Sequence, residues 1–141
     1  MGGVESGIRV YEEQRGCALG DYDGDGRVDL VVTQNNERTR LFHNVRGRAG
    51  LRVRLAGSAG NPEGVGAVVR LEYGGRLGPA REVQAGGGFW SQNSVVQVLG
   101  AADQATGLQV RWPGGKTTRA PLPQGAREIQ VSLDGTIQKI K

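Results

Sequence analysis

The sequence has few of the residues on which disulfide-bonded domains and many enzymes depend. Among its 141 residues there is one cysteine, Cys17, and one histidine, His43. An internal disulfide is therefore excluded, and histidine-based metal sites and Ser/His or Cys/His catalysis lack the partners that they need. We expect no catalytic residues, and the single thiol leaves the redox compartment open.

Long apolar stretches are also missing. The longest aliphatic run, residues 30–32 (LVV), is far shorter than the roughly 20 residues of a membrane-spanning helix, so we expect no membrane span. The first seven residues lack the basic and apolar pattern of a signal peptide. With 25 Gly, 5% aromatic residues and no helical period of useful length, the chain is expected to be all-β.

Positive charge is concentrated in the second part of the chain. Residues 1–49 hold seven arginines and eight acidic residues, whereas residues 50–141 hold eleven basic and six acidic residues. The arginines of the second part mostly alternate with apolar residues, as in residues 51–55 (LRVRL), which is typical of the solvent-facing side of a strand. We therefore expect no nucleic-acid partner.

The most informative stretch is the aspartate loop, residues 21–29 (DYDGDGRVD). A curling loop turns its four carboxylates toward one point, where two unit charges about 4 Å apart repel by roughly 4 kcal/mol at an effective dielectric near 20. Calcium relieves this repulsion, and Gly24 and Gly26 supply the positive φ angles of a tight wrap. We expect Ca²⁺ to be bound by Asp21, Asp23, Asp25, the main-chain carbonyl of Arg27, and Asp29.

The aspartate loop is not an EF-hand, because its twelfth position is Val32 rather than Glu and no helix pattern flanks it. Residues 30–33 (LVVT) predict a strand instead. The alternative for the loop is a solvated acidic turn, since Asp and Gly are ordinary turn residues.

Residues 8–44 predict four short strands, at 8–11, 17–20, 30–34 and 40–43. Four such strands are the size of one blade of a β-propeller, and a single blade cannot bury its faces alone. We therefore expect this chain to be the C-terminal end of a longer parent protein, and we expect its missing N-terminal propeller blades to be partners of this segment.

This first part resembles the FG-GAP or VCBS repeat of integrin-type propellers. The likeness is carried by residues 18–33 (ALGDYDGDGRVDLVVT) and 41–44 (LFHN), and it covers about residues 8–46. The resemblance implies calcium at the aspartate loop, with the ligands named above. Nothing catalytic is carried onto His43.

From residue 51 the pattern changes to period-two strands separated by Gly, Pro and Asn. Residues 73–76 (YGGR) and 134–135 (DG) predict hairpin turns. Seven or eight such strands predict a small antiparallel β-sandwich. We therefore divide the chain into a calcium-binding, propeller-blade-like repeat at 1–48 and a sandwich domain at 49–141.

The second part resembles the ASPIC/UnbV module, which follows VCBS repeats in cartilage acidic protein-like proteins. Three motifs in order carry the likeness: residues 64–71 (GVGAVVRL), 81–93 (REVQAGGGFWSQN) and 110–116 (VRWPGGK). No reaction is established for the module. The resemblance therefore implies a surface-protein setting and no chemistry.

The glycine-rich loop, residues 86–93 (GGGFWSQN), is the second candidate site. Glycines let a backbone approach a ligand closely, and Trp and amide side chains suit sugar faces and hydroxyls. The alternative is that two aromatic residues fill the sandwich core while the glycines form a sharp bend. The candidate contacts for a glycan or protein ligand are Phe89, Trp90, Ser91, Gln92 and Asn93.

These features predict a non-enzymatic, calcium-stabilised binding or adhesion module of a secreted, extracellular or cell-envelope protein. Calcium would order the aspartate loop and so dock the blade-like segment on the sandwich. The rival hypothesis is a polysaccharide-acting enzyme or an accessory carbohydrate-binding domain that uses the glycine-rich loop.

Overall fold

The computed structural model describes residues 3–100 and 102–141 and consists mostly of strands and turns, which confirms the all-β prediction. The strands are β1 (Gln14–Gly20), β2 (Asp29–Gln34), β3 (Glu37–Phe42), β4 (Leu51–Ala56), β5 (Val68–Tyr73), β6 (Arg76–Leu77), β7 (Arg81–Glu82), β8 (Gln97–Leu99), β9 (Gly107–Arg111), β10 (Thr117–Pro121), β11 (Glu128–Ser132) and β12 (Ile137–Lys139). Within the described ranges, helical structure is limited to α1 (Gly3–Ser6) and a 3₁₀ turn at Ala102–Gln104.

Strands β4 to β12 form two sheets that pack face to face. One sheet has the order β10-β9-β5-β6, with β7 also pairing with β5, and the other has the order β12-β11-β4-β8. The predicted antiparallel sandwich is confirmed, with one parallel pair, β4 and β11, in which Arg52 lies opposite Glu128 and Val53 opposite Ile129. Directly paired residues point to the same side of a sheet, so this register places Arg52 and Glu128 together on its outer face.

The sandwich core follows from the alternating pattern of its strands. Leu51, Val53 and Leu55 of β4 are buried, and so are Val69 and Leu71 of β5. The other buried core residues come from both sheets and their flanking turns: Ala67, Val83, Leu99, Leu108, Val110, Trp112, Ile129 and Val131. Period-two apolar positions therefore decide which face of each strand is inside.

Trp112 is the aromatic residue that fills the sandwich. Its side chain is 1% exposed, and its Nε1 donates a hydrogen bond to Thr118 Oγ1 at 3.0 Å. By contrast, Phe89 is 62% exposed and Trp90 is 95% exposed. The alternative in which Phe89 and Trp90 fill the core is therefore wrong, because Trp112 already occupies that space.

The two predicted hairpins form at the expected residues. Gly74 and Gly75 both have positive φ angles, 56° and 87°, as the tight turn between β5 and β6 requires. Gly135 has a φ of 93° between β11 and β12, and Asp134 Oδ1 accepts a hydrogen bond from the Thr136 N–H at 2.9 Å. Local turn chemistry therefore sets both chain reversals.

The first part of the chain forms a three-stranded antiparallel sheet in the order β1-β2-β3. The fourth strand predicted at residues 8–11 is wrong, since that stretch has no strand pairing. Val32 in the central strand is buried, whereas Leu19 and Leu41 on the outer strands are 46% and 49% exposed. The division at residues 48 and 49 stays a prediction.

The outer edge of β1 is covered by the end of the glycine-rich loop and the residue that follows it. Ser94 N–H donates to the Leu19 carbonyl at 2.8 Å, and Leu19 N–H donates to Asn93 Oδ1 at 2.9 Å. A Cβ at Gly16 would lie 2.8 Å from the carbonyl oxygen of Phe89, so the close approach requires glycine there. These contacts hold the three-stranded sheet against the segment that links β7 to β8.

Across the described part of the chain, no helix is long and apolar enough to cross a membrane.

Shortening a core side chain tests the packing described above. Ile129 is 0% exposed, so Ile129→Ala is expected to lower the unfolding free energy by about 2–5 kcal/mol, through lost burial and a residual cavity. The matched control, Ile8→Ala, makes the same deletion at a side chain that is 43% exposed and should cost less than about 1 kcal/mol. Urea denaturation measures both, and equal losses would contradict the assigned core.

Candidate functional site

The aspartate loop wraps around the carboxylate of Asp21. Oδ1 of Asp21 accepts hydrogen bonds from the N–H groups of Gly24 at 2.8 Å and Asp25 at 3.1 Å, and Oδ2 accepts one from Gly26 at 2.8 Å. Gly24 and Gly26 have φ angles of 76° and 85°, as predicted. Asp21 therefore caps three main-chain donors and sets the curvature of the loop.

Asp21 also makes an ion pair with Arg52 of β4. The Arg52 Nη1 contacts Oδ2 of Asp21, and the two side chains are 9% and 1% exposed. On its other side, Arg52 Nε donates to Glu128 Oε2 at 3.0 Å, and Arg54 Nε donates to Glu128 Oε1 at 2.5 Å. The prediction that Arg52 faces solvent is wrong, because the aspartate loop covers that end of the sheet.

The buried ion pairs shift the pKa values of their members. Burial by itself raises the pKa of Asp21, but hydrogen bonds from Arg52, Gly26 and Gly24 outweigh it, so the pKa lies below its usual range. Burial likewise opposes ionisation of Glu128, and hydrogen bonds from Arg54 and Arg52 lower its pKa overall. Both carboxylates are therefore ionised at neutral pH.

Asp29 closes the other end of the aspartate loop. It is 2% exposed, and its two oxygens accept hydrogen bonds from the N–H groups of Asn44, at 2.8 Å, and Tyr22, at 3.2 Å. Asp29 is the first residue of β2, whereas Asn44 follows β3. Asp29 therefore joins the loop to the chain that leaves β3 at the same end of the three-stranded sheet.

Asp23 and Asp25 lie on the more open side of the loop, with His43 against them. His43 Nε2 is 3.1 Å from Asp23 Oδ2 and 3.6 Å from Asp25 Oδ2, and the His43 ring packs edge to face on Tyr22. The guanidinium of Arg27 contacts Asp25 Oδ2, while Arg27 N–H donates to Asp25 Oδ1 at 2.8 Å. Local spacing does not predict this position of His43, because His43 follows Asp25 by 18 positions along the chain.

The structure brings together the four aspartates that the sequence singled out. Oxygens of Asp21, Asp23 and Asp29 lie within 4.8 Å of one another, and so do donor atoms of Asp23, Asp25 and His43. Oδ2 of Asp25 is buried and is paired with the guanidinium of Arg27, with His43 Nε2 3.6 Å away. Carboxylate oxygens gathered in this way are the donors that a hard cation prefers.

An open groove of about 1070 Å³ gives access to the aspartate loop. Its walls include Gly24, Asp25 and Gly26 of the loop, residues 48–52, and residues 122–128. Ions in solvent therefore reach the loop without crossing the sandwich core.

The glycine-rich loop places its candidate residues in two different roles. Phe89 and Trp90 stack at the exposed tip, with ring centroids 5.5 Å apart and planes 2° from parallel, and Trp90 has a positive φ of 47°. Ser91 pairs with Gly88 across the tip, and Gln92 is exposed, whereas Asn93 binds the main chain of β1. Asn93 is therefore held by the fold, and the aromatic pair is free to meet a ligand.

A family model described as ASPIC and UnbV matches residues 57–137, which run from the turn after β4 into β12 and leave the aspartate loop outside. No curated protein matches the chain.

The depressed pKa of Glu128 predicts a stability that falls in acid. In the unfolded chain a glutamate titrates near about 4.3, so ionised Glu128 contributes stability above that pH and loses it as the pH falls through the lower folded-state pKa. Glu128→Gln is expected to cost about 3 kcal/mol at pH 7 and to flatten the dependence of unfolding free energy on pH below about 5.

The exposed Glu63→Gln is the matched control and should leave both the stability and its pH dependence near wild type. Urea denaturation at a series of pH values gives the comparison. A Glu128→Gln protein with wild-type acid sensitivity would contradict the assigned role.

Proposed function

This chain belongs to the ASPIC and UnbV family, and from that premise we propose that it is a non-enzymatic binding or adhesion module of an extracellular or cell-envelope protein. In this proposal, the residues before the matched region form an FG-GAP or VCBS-type repeat that binds calcium. The ion is structural, and its role is to hold the aspartate loop and the strands on either side of it in one arrangement.

The observation that carries the calcium proposal is the convergence of carboxylates. Oxygens of Asp21, Asp23 and Asp29 approach within 4.8 Å, where like charges repel, and Asp25 adds a fourth carboxylate beside Asp23 and His43. All the side-chain donors that the sequence predicted are carboxylate oxygens, which suit Ca²⁺. Asp21, Asp23, Asp25 and Asp29 would hold the ion together with the carbonyl of Arg27, and Asp21 would also shape the loop around it.

The three-stranded sheet offers a surface for the proposed propeller neighbours. Within the described ranges, β3 has no strand on its outer side. An open strand edge of this kind pairs readily with another strand. Further blades of a longer parent protein would cover β3 together with the half-exposed Leu19 and Leu41.

Calcium is expected to raise the melting temperature of the wild-type protein. At a free concentration one hundred times Kd, a ligand stabilises the folded state by about 2.7 kcal/mol, which corresponds to a shift on the order of 10 °C here. Asp23→Asn should abolish most of that shift, because Asp23 belongs to both clusters of possible metal ligands, the one with Asp21 and Asp29 and the one with Asp25 and His43. Differential scanning fluorimetry in calcium or EGTA measures the shift, and isothermal titration calorimetry measures binding.

Asp134→Asn is the control, because Asp134 is an exposed aspartate of the turn between β11 and β12 and lies outside the residues that line the groove. It should respond to calcium like wild type. A wild-type melting temperature that is the same in millimolar calcium and in EGTA, with no heat of binding, would refute the calcium proposal.

A second candidate function, of a different class, is carbohydrate binding as an accessory domain or as part of a polysaccharide-acting enzyme. The observation in its favour is the exposed, parallel Phe89 and Trp90 pair. Large aromatic faces offer an apolar surface to a sugar ring, and Trp90 keeps its strained backbone conformation while it is 95% exposed.

A glycan array tests this second function, followed by titration of any glycan that binds. Trp90→Ala should weaken that binding at least about tenfold, the factor that corresponds to roughly 1.4 kcal/mol. Tyr11→Ala, at an aromatic residue that is 81% exposed elsewhere, should leave it unchanged. An array without binding, or equal binding by Trp90→Ala, would rule out the aromatic pair as a sugar surface.

A further inference from the structure

Asp21 has no acceptor position left for an ion. An ionised carboxylate offers about four lone-pair positions. The N–H groups of Gly24 and Asp25 occupy those of Oδ1, while Gly26 N–H and the Arg52 guanidinium occupy those of Oδ2. A cation that binds Asp21 must therefore displace one of these partners.

The partners of the other three aspartates are fewer or more exposed. Asp29 accepts one hydrogen bond on each oxygen, and Asp23 Oδ1 accepts one from Asp25 N–H at 3.2 Å. Asp25 Oδ2 is paired with the guanidinium of Arg27, whose side chain is 27% exposed, against 9% for Arg52. Among the described residues, Asp21 is the one aspartate of the loop that pairs with a buried arginine, so the four carboxylates are not equivalent toward a metal.

Arg52 is held where it stands by a second anion. Glu128 accepts from Arg52 Nε at 3.0 Å and from Arg54 Nε at 2.5 Å, and its side chain is 5% exposed. Arg52 itself is 9% exposed, so water screens its charge weakly. Its positive charge therefore remains beside the aspartate loop when an ion enters.

From these contacts we propose that Arg52 is a built-in counter-cation that competes with calcium for Asp21 and sets the affinity of the loop. The inference rests on the proposed calcium site and adds its regulation. Arg52 neutralises one carboxylate and keeps the loop folded without an ion. The cost is weaker calcium binding, because the ion must either displace the guanidinium or lie close to a like charge.

Arg52→Gln tests the proposal, with Arg54→Gln as the matched control. Both variants remove a guanidinium from Glu128, but only Arg52 touches Asp21. Arg52→Gln is expected to lower the Kd for calcium at least about tenfold while lowering the melting temperature in EGTA. Arg54→Gln should keep a Kd within about threefold of wild type. Calorimetry gives the Kd, and scanning fluorimetry gives the melting temperatures.

A double variant keeps the test possible if the Arg52→Gln protein does not fold. Arg52→Gln with Glu128→Gln leaves no unpaired charge at Glu128, and it should show the same tightening of calcium binding.

A folded Arg52 variant with unchanged or weaker calcium binding would overturn the inference and leave the calcium site intact. Absence of binding in wild type and in all variants would overturn the calcium proposal itself.

Discussion

One buried guanidinium, that of Arg52, joins three regions that are distant in sequence. It contacts Asp21 of the aspartate loop and donates to Glu128 of β11, while β4 carries it. Both carboxylates are at most 5% exposed, and removal of one partner from a buried ion pair typically costs about 3–5 kcal/mol. The position of the aspartate loop on the sandwich therefore depends on a charge balance rather than on apolar packing.

The four aspartates of the loop have two different roles. Some fold the loop through main-chain hydrogen bonds, and others present their carboxylates near the surface. Asp21 and Asp29 are the buried aspartate side chains of the loop, and they accept main-chain hydrogen bonds that fold it. Asp23 and Asp25 are more exposed and lie beside His43. Spacing alone treats the four aspartates as equal ligands, whereas in the fold two of them also accept main-chain hydrogen bonds from residues three or more positions away along the chain.

Much of the fold is predictable because its signals are local. Positive φ at Gly24, Gly26 and Gly135 follows from turn chemistry, and the alternation in β4 and β5 gives the buried face. The environment of Arg52 is not predictable in this way, because alternation says which face a residue occupies and not what covers that face. Residues 8–11 likewise have strand-like composition but pair with no strand among the described residues.

The exposed aromatic pair follows from how the glycine-rich loop is anchored. Val83 N–H donates to the Ala67 carbonyl at 2.9 Å, which fixes the start of the segment on the sandwich, and Ser94 N–H fixes its end on β1. The chain between these anchors carries three consecutive glycines and has no core position to enter, since Trp112 fills the interior. Phe89 and Trp90 are therefore directed outward by the same contacts that attach the three-stranded sheet to the sandwich.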